Sequence, residues 1–219
     1  MLTESKKELI SMMLEAGVLR FGEFTLKSGR VSPYFINTGN YKSGKHLAAL
    51  GKCYADLVKR TLGANFDGMF GPAYKGIPLV SACAIALWEQ YGIEKPYLFD
   101  RKEAKDHGEG GSIVGYIPND GEKIIIIEDV ISSGISTRES MTLLKSYNVK
   151  VTDMFISVDR MEYGQVPGKT AVIEVSELFG LRVHPLINVD DIREWLVDTG
   201  WDAKDISRMD EYRGKYCVR

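Results

Sequence analysis

Four consecutive isoleucines, Ile124 to Ile127, run into two adjacent carboxylates, Glu128 and Asp129. A continuous β-branched run reads as a strand buried on both faces, as in a parallel sheet. Paired charge would be costly in the middle of such a strand, so the acids mark where it leaves the sheet. A loop of small residues follows, Ser132-Ser133-Gly134-Ile135-Ser136-Thr137, and then a helical pattern from Arg138 to Tyr147. In open α/β sheets, ligands bind outside the carboxyl ends of strands. The loop can offer several backbone N–H groups at a helix start, which suits phosphate. Carboxylates for hydroxyls or a metal, beside a nest for phosphate, point to a phosphorylated sugar.

The rest of the chain alternates helical and strand patterns around that stretch. Thr3 to Ala16 is amphipathic and stops at Gly17. Phe24 and Leu26, a Ser28-Gly29 turn and Tyr34-Phe35-Ile36 carry a β-hairpin signature. Ser43 to Leu62 is helical. Phe66 to Gly71 is a short strand that feeds the turn-rich Pro72 to Pro78. Leu79 to Tyr91 is small and apolar, the pattern of a helix packed closely on a neighbour. Pro96 to Asp100 and Ser112 to Ile117 read as strands. Between them, 101 to 111 is charged, Gly-rich and without periodicity, and reads as a mobile loop. Val151 to Asp159 is a strand that again exits on charge, at Asp159-Arg160. Ala171 to Val175 reads as a strand, Glu177 to Gly180 as a short turn, and Asp190 to Asp198 as a final helix. The polar tail from Gly200 is only weakly patterned. Strand–helix alternation predicts right-handed βαβ units and an α/β fold, its mostly parallel sheet running from about 66 to 176.

With 219 residues the chain allows one domain, or one domain plus a small subdomain. The expected division is an N-terminal hood over 1–40, a core over 41–199 and a tail over 200–219. A formal net charge of −2 gives no support for non-specific nucleic-acid binding. Cys53, Cys83 and Cys217 are far apart and odd in number, against both a disulfide framework and a Cys-rich zinc site. No apolar run approaches the roughly 20 residues a bilayer span requires, and the start lacks a signal-peptide core. A cytoplasmic protein without membrane association is expected. P-loop, dinucleotide, H-E-x-x-H and G-x-S-x-G motifs are all absent, which leaves the loop after Asp129 as the main phosphate cradle.

Ile124 to Ser136 resembles the phosphoribosyl pyrophosphate (PRPP) motif of the type I phosphoribosyltransferases: four apolar residues, two acids and a small-residue loop. Further blocks resemble the orotate phosphoribosyltransferases in order and spacing. They are Phe24 to Arg30, Ser32 to Phe35, Gly71 to Gly76, Arg101 to Gly108 and Asp159-Arg160. The resemblance covers roughly residues 1 to 195. It implies the type I phosphoribosyltransferase fold with a small N-terminal hood. The implied reaction is orotate plus PRPP giving orotidine 5′-monophosphate and pyrophosphate, with Mg²⁺, in a homodimer and in de novo pyrimidine synthesis.

The resemblance also assigns roles. Glu128 and Asp129 would contact the ribose hydroxyls, since carboxylates accept two hydrogen bonds and favour a cationic transition state. Ser132, Ser133, Gly134, Ile135 and Ser136 would hold the 5-phosphate, with Gly134 permitting a positive φ, and Val130 and Ile131 would also line the PRPP site. Tyr74 and Lys75 would bind pyrophosphate. Arg101, Lys102, Lys105 and His107 would close over the neighbouring subunit's site, exclude water and stabilise the leaving group. Lys105, His107 and Asp129 are the catalytic candidates. Lys27 would serve both PRPP and orotate, and Phe35, Ile36, Ser132 and Arg160 would complete the orotate site. The Phe35 side chain itself is expected in the core. Mg²⁺ would be held mainly by PRPP and water, with no protein ligand firmly assigned. Two departures stand out. Glu128 occupies a position where the family usually has Asp, and Ile135 stands where Thr is common. The competing readings are a transferase for another base and a PRPP-sensing regulator that binds RNA or DNA.

Overall fold

The computed structural model describes residues 2–26, 29–101, 112–131 and 134–218. Thr3 caps the first helix, α1 (Glu4–Glu15), by accepting the Lys6 N–H. β1 (Leu19–Thr25) and β2 (Val31–Ile36) form the expected antiparallel hairpin, a two-stranded sheet of its own. A single 3-10 turn, Thr38–Asn40, leads into α2 (Gly44–Leu62), which is capped by Ser43 and ends at Gly63. β3 (Gly68–Gly71) feeds a tight turn and α3 (Gly76–Tyr91). That helix starts at Gly76 rather than Leu79. Pro78 falls in its first turn, where a missing N–H breaks no helical bond. β4 (Tyr97–Asp100) pairs antiparallel with β5 (Ile113–Gly115). β6 (Lys123–Glu128) carries the isoleucine run, and α4 (Ile135–Ser146) and β7 (Lys150–Asp159) follow. The segment expected to be a mobile loop lies outside the described residues over 102–111.

Beyond β7 the chain departs from expectation. Ala171–Phe179 is a helix, α5, not a strand. Thr170 accepts the Ile173 N–H as its cap, and Gly180 closes it with φ 65° in the left-handed region. The run Ala171-Val-Ile-Glu-Val175 is rich in β-branched residues and locally ambiguous, and the caps at its two ends decide for helix. The true strand is β8 (Arg182–Asn188), which carries the sheet past 176. α6 (Val189–Asp198) is followed by another helix, α7 (Ala203–Tyr216), in the weakly patterned tail.

The main sheet has six strands in the order β5-β4-β3-β6-β7-β8. All neighbours are parallel except the edge pair β4 and β5. Alternate isoleucines of β6 face opposite ways: Ile125 and Ile127 enter one core with α1, α2, α3 and α6, while Ile124 and Ile126 enter a second core with α4. Burying each is worth about 2 kcal/mol, so β6 is held from both sides. The small-residue character of α3 has its reason in α2. A Cβ on Gly51 would lie 2.6 Å from the Ala82 carbonyl oxygen, so the helix backbones meet closely there. The tail completes the hood. Tyr212 of α7 packs edge-on against Tyr34 of β2 with ring centroids 5.8 Å apart, and Arg208 donates to the Gly22 carbonyl at 3.2 Å.

Candidate active site

β6 delivers its two acids to the carboxyl end of the sheet, and the backbone there is fixed from outside the strand. The buried Tyr54 hydroxyl, on α2, donates to the Glu128 carbonyl at 2.7 Å. The Ser157 N–H, on β7, donates to the Asp129 carbonyl at 2.8 Å. From this common anchorage the two carboxylates take different paths.

Glu128 folds back on its own loop. One carboxyl oxygen accepts the Asp129 N–H at 2.9 Å and the other accepts the Ser136 hydroxyl at 3.1 Å, in the first turn of α4. Burial, with the adjacent Asp129 charge, pushes its carboxyl up to about 8. Asp129 faces the site. Its Oδ2 accepts the Thr38 hydroxyl at 2.6 Å and Lys75 Nζ at 2.8 Å, and its Oδ1 accepts the Val130 N–H at 2.7 Å. Burial works to raise its carboxyl, but the Lys75 and Thr38 hydrogen bonds outweigh it and hold the group below the ordinary range.

Lys75 reaches Asp129 because the chain turns sharply after β3. A Cβ on Gly71 would lie 2.4 Å from the Gly76 carbonyl oxygen, and one on Gly76 would lie 2.6 Å from Pro72 Cδ. Asp100 pins the turn by accepting the Ala73 N–H at 2.6 Å. Tyr74 points outward and is 72% exposed. Since β3 and β6 are adjacent, the lysine and the aspartate leave neighbouring strands and meet above them.

The loop after Asp129 is described at 130–131 and from Gly134. Gly134 takes φ 71°, and among the described residues no side chain caps the start of α4, where free N–H groups suit an anion. Ile135 is 60% exposed. Ser132 and Ser133 lie outside the described residues, as do Lys27, Lys102, Lys105 and His107. Arg101 extends β4, its N–H donating to the Ser112 carbonyl at 2.8 Å.

The residues proposed for a planar acid lie on the hood and at the end of β7. Phe35 is not in the core. It is half-buried and stacked on Phe24 at 5.4 Å, with the Arg20 guanidinium 5.9 Å from its ring. β2 buries Ser32, Pro33 and Tyr34 in succession and leaves Phe35 partly exposed toward the end of the hairpin. Ile36 is half-buried against the main core. Arg160 stands 4.9 Å over the Tyr34 ring and donates to Glu162 Oε1 through Nε at 2.9 Å. Glu162 also accepts the Tyr212 hydroxyl at 3.0 Å, so the guanidinium is held by a hood-and-tail network. Neither Thr38, Tyr54 nor Glu162 is marked by a motif. Each acts through a long-range contact that periodicity cannot register.

Beside Asp129 and Lys75 opens a cavity of ≈ 500 Å³, walled by Thr38, Tyr41, Leu47 and Leu79. Among the described residues no group of three or more His, Cys, Asp or Glu side chains is arranged to hold a metal ion. The Glu128 and Asp129 carboxylates are each engaged by protein donors, Glu128 by the Asp129 N–H and Ser136, Asp129 by Thr38, Lys75 and the Val130 N–H. Among the described residues, too, no helix is long and apolar enough to cross a membrane.

A phosphoribosyl transferase domain model matches residues 37–201. The orotate phosphoribosyltransferase of Halorhodospira halophila is 46% identical, over 97% of this chain and 98% of that protein. That of Clostridium botulinum (strain Alaska E43) is 44% identical, over 98% of each. The solved structure of the Francisella tularensis orotate phosphoribosyltransferase superposes with a TM-score of 0.86 at 38% identity, covering 96% of this chain and all of that one.

Proposed function

We propose, from the premise that this chain belongs to the orotate phosphoribosyltransferase family, a division of labour among its residues. The reaction is the family's: the phosphoribosyl group passes from PRPP to orotate, giving orotidine 5′-monophosphate and pyrophosphate in pyrimidine biosynthesis. The observation that carries the assignment is the Lys75–Asp129 contact at the ends of adjacent strands.

Asp129 takes the ribose hydroxyls, and its full negative charge supports the cation that develops at the anomeric carbon. Lys75 exchanges Asp129 for a pyrophosphate oxygen, helped by Tyr74. The start of α4, with Val130, Ile131, Ser132, Ser133, Gly134, Ile135 and Ser136, takes the 5-phosphate through backbone N–H groups and hydroxyls. Glu128 braces that loop by accepting the Asp129 N–H and the Ser136 hydroxyl, and each of its carboxyl oxygens keeps a second lone pair with which to meet a ribose hydroxyl. Lys27, Phe35, Ile36, Ser132 and Arg160 form the orotate side, where a guanidinium can take a carboxylate through a fork. Arg101, Lys102, Lys105 and His107 of a neighbouring subunit cover the leaving group and keep water from the cation. Exposed Ile85 and Trp88 on α3 support pairing of two copies through that helix. Mg²⁺ bound with PRPP supplies charge neutralisation of the pyrophosphate. Three free cysteines fit a reducing, cytoplasmic setting.

Orotate consumption with PRPP and Mg²⁺, followed by absorbance, tests the activity. A purine active in place of orotate would move the assignment to another base, and RNA binding without turnover would favour the regulator. Asp129→Asn is expected to lower kcat by roughly 10²-fold. Turnover like that of the unsubstituted enzyme would refute the role of Asp129.

A further inference from the structure

Thr38 stands at the head of the 3-10 turn, two residues beyond the end of β2. Its hydroxyl donates to Asp129 Oδ2 at 2.6 Å and accepts Lys75 Nζ at 2.9 Å, while Lys75 donates to the same Asp129 oxygen at 2.8 Å. The three groups form a closed ring. Only a group that donates and accepts at once can occupy the corner between an ammonium and a carboxylate, and a hydroxyl does so. The hood holds Thr38 in place. The Asn37 side chain accepts the Gly39 N–H at 3.2 Å, the Asn37 N–H donates to the Val18 carbonyl at 2.8 Å, and Asn40 donates to the Gly17 carbonyl at 2.7 Å.

We infer that Thr38 is a positioning residue for PRPP: it fixes the Asp129 carboxylate and lends Lys75 a second partner, so that the lysine can leave the aspartate when the sugar phosphate enters. The inference rests on the assignment of Asp129 and Lys75 to PRPP. With Thr38 in place, Asp129 is held at both oxygens, by Thr38 on Oδ2 and by the Val130 N–H on Oδ1, and departure of Lys75 frees a lone pair for a ribose hydroxyl without releasing the carboxylate. Without the hydroxyl, Asp129 keeps the Val130 N–H on Oδ1 but Lys75 becomes the one donor to Oδ2 among the described residues, and that ion pair must be broken with no second partner for the lysine when PRPP binds. Because the same turn continues directly from β2, Thr38 also ties the base side of the site to the sugar side through hydrogen bonds 91 and 37 residues apart in sequence.

Thr38→Val keeps the shape and removes the hydroxyl. KM for PRPP is expected to rise roughly tenfold, as loss of one hydrogen bond to a charged group implies, with KM for orotate changed less than about twofold. Among the described residues Asp129 faces Lys75, Glu128 and the Tyr54 hydroxyl. Deleting the Thr38 bond removes one of the contacts that hold its carboxyl low, so the acid limb of kcat/KM for PRPP should move to higher pH. Thr38→Ser should restore both readouts. If the valine variant does not fold by its thermal melt, Thr38→Ala carries the same test without added bulk. An unchanged KM and an unchanged acid limb would overturn the inference, as would a serine variant as impaired as the valine. Asp129→Asn, run alongside, separates two failures. If it is impaired while Thr38→Val behaves like the unsubstituted enzyme, only the role of Thr38 falls. If Asp129→Asn is itself unimpaired, the assignment beneath it falls.

Discussion

Glu128 and Asp129 share one peptide bond, yet burial and partners separate their titration. The Glu128 carboxyl is raised from 4.5 to about 8, chiefly by burial. A raised carboxyl means that the folded state holds a proton the unfolded chain has released. Its contribution to stability is therefore full below about 4.5 and is lost as pH rises through about 8. Glu128→Gln, which keeps an acceptor and removes the charge, should flatten the decline of the melting temperature across that window. A slope equal to that of the unsubstituted protein would show that another group carries the proton. Sequence marked these two acids as a pair, because a strand of isoleucines buried on both faces can end on charge only where it leaves the sheet. It could not mark their difference. That depends on the burial of Glu128 and on Thr38 and Lys75, which reach Asp129 from the hood and from the turn after β3.

At the level of elements, the turn between β3 and α3 is the piece on which the site depends most. Gly71 and Gly76 let its two ends approach so closely that a methyl on Gly71 would strike backbone at 2.4 Å and Val80 at 2.6 Å. Gly71→Ala should cost roughly 2–3 kcal/mol by overpacking, read as a fall in denaturant midpoint. It should also displace Lys75 and weaken PRPP binding. A stable variant with ordinary PRPP affinity would refute that account of the turn. Strands whose residues are apolar on both faces, such as β6, were legible because burial on two sides leaves a continuous run. α5 was not, because Val172, Ile173 and Val175 favour a strand locally while Thr170 and Gly180 impose a helix. β8 escaped notice since Arg182, His184 and Pro185 interrupt its apolar pattern, and β8 lies at the sheet edge, where such residues are tolerated.

Across the whole molecule, Glu162 is the junction between core, hood and tail. It takes Arg160 from the end of β7 and the hydroxyls of Tyr212 and, at 3.4 Å, Tyr34. Tyr212→Phe removes one of these bonds and loosens the mounting of Arg160. KM for orotate should rise several-fold while KM for PRPP stays within about twofold. Equal changes in both constants would argue that α7 merely stabilises the fold. The tail gave no warning of this role, since its polar sequence buries only Met209 and Tyr212 within the helix. Its position has a further consequence for design. The hairpin from the start of the chain and the helix near its end lie against each other, and the sheet that handles the sugar phosphate is spliced between them. On the proposed assignment, the acceptor meets three pieces, the hairpin through Phe35 and Ile36, the end of β7 through Arg160, and the tail that mounts Arg160 through Glu162. A graft of both terminal pieces from a relative with a different acceptor is therefore expected to shift the ring taken only when position 160 is exchanged with them, while the strand that ends in acid stays untouched.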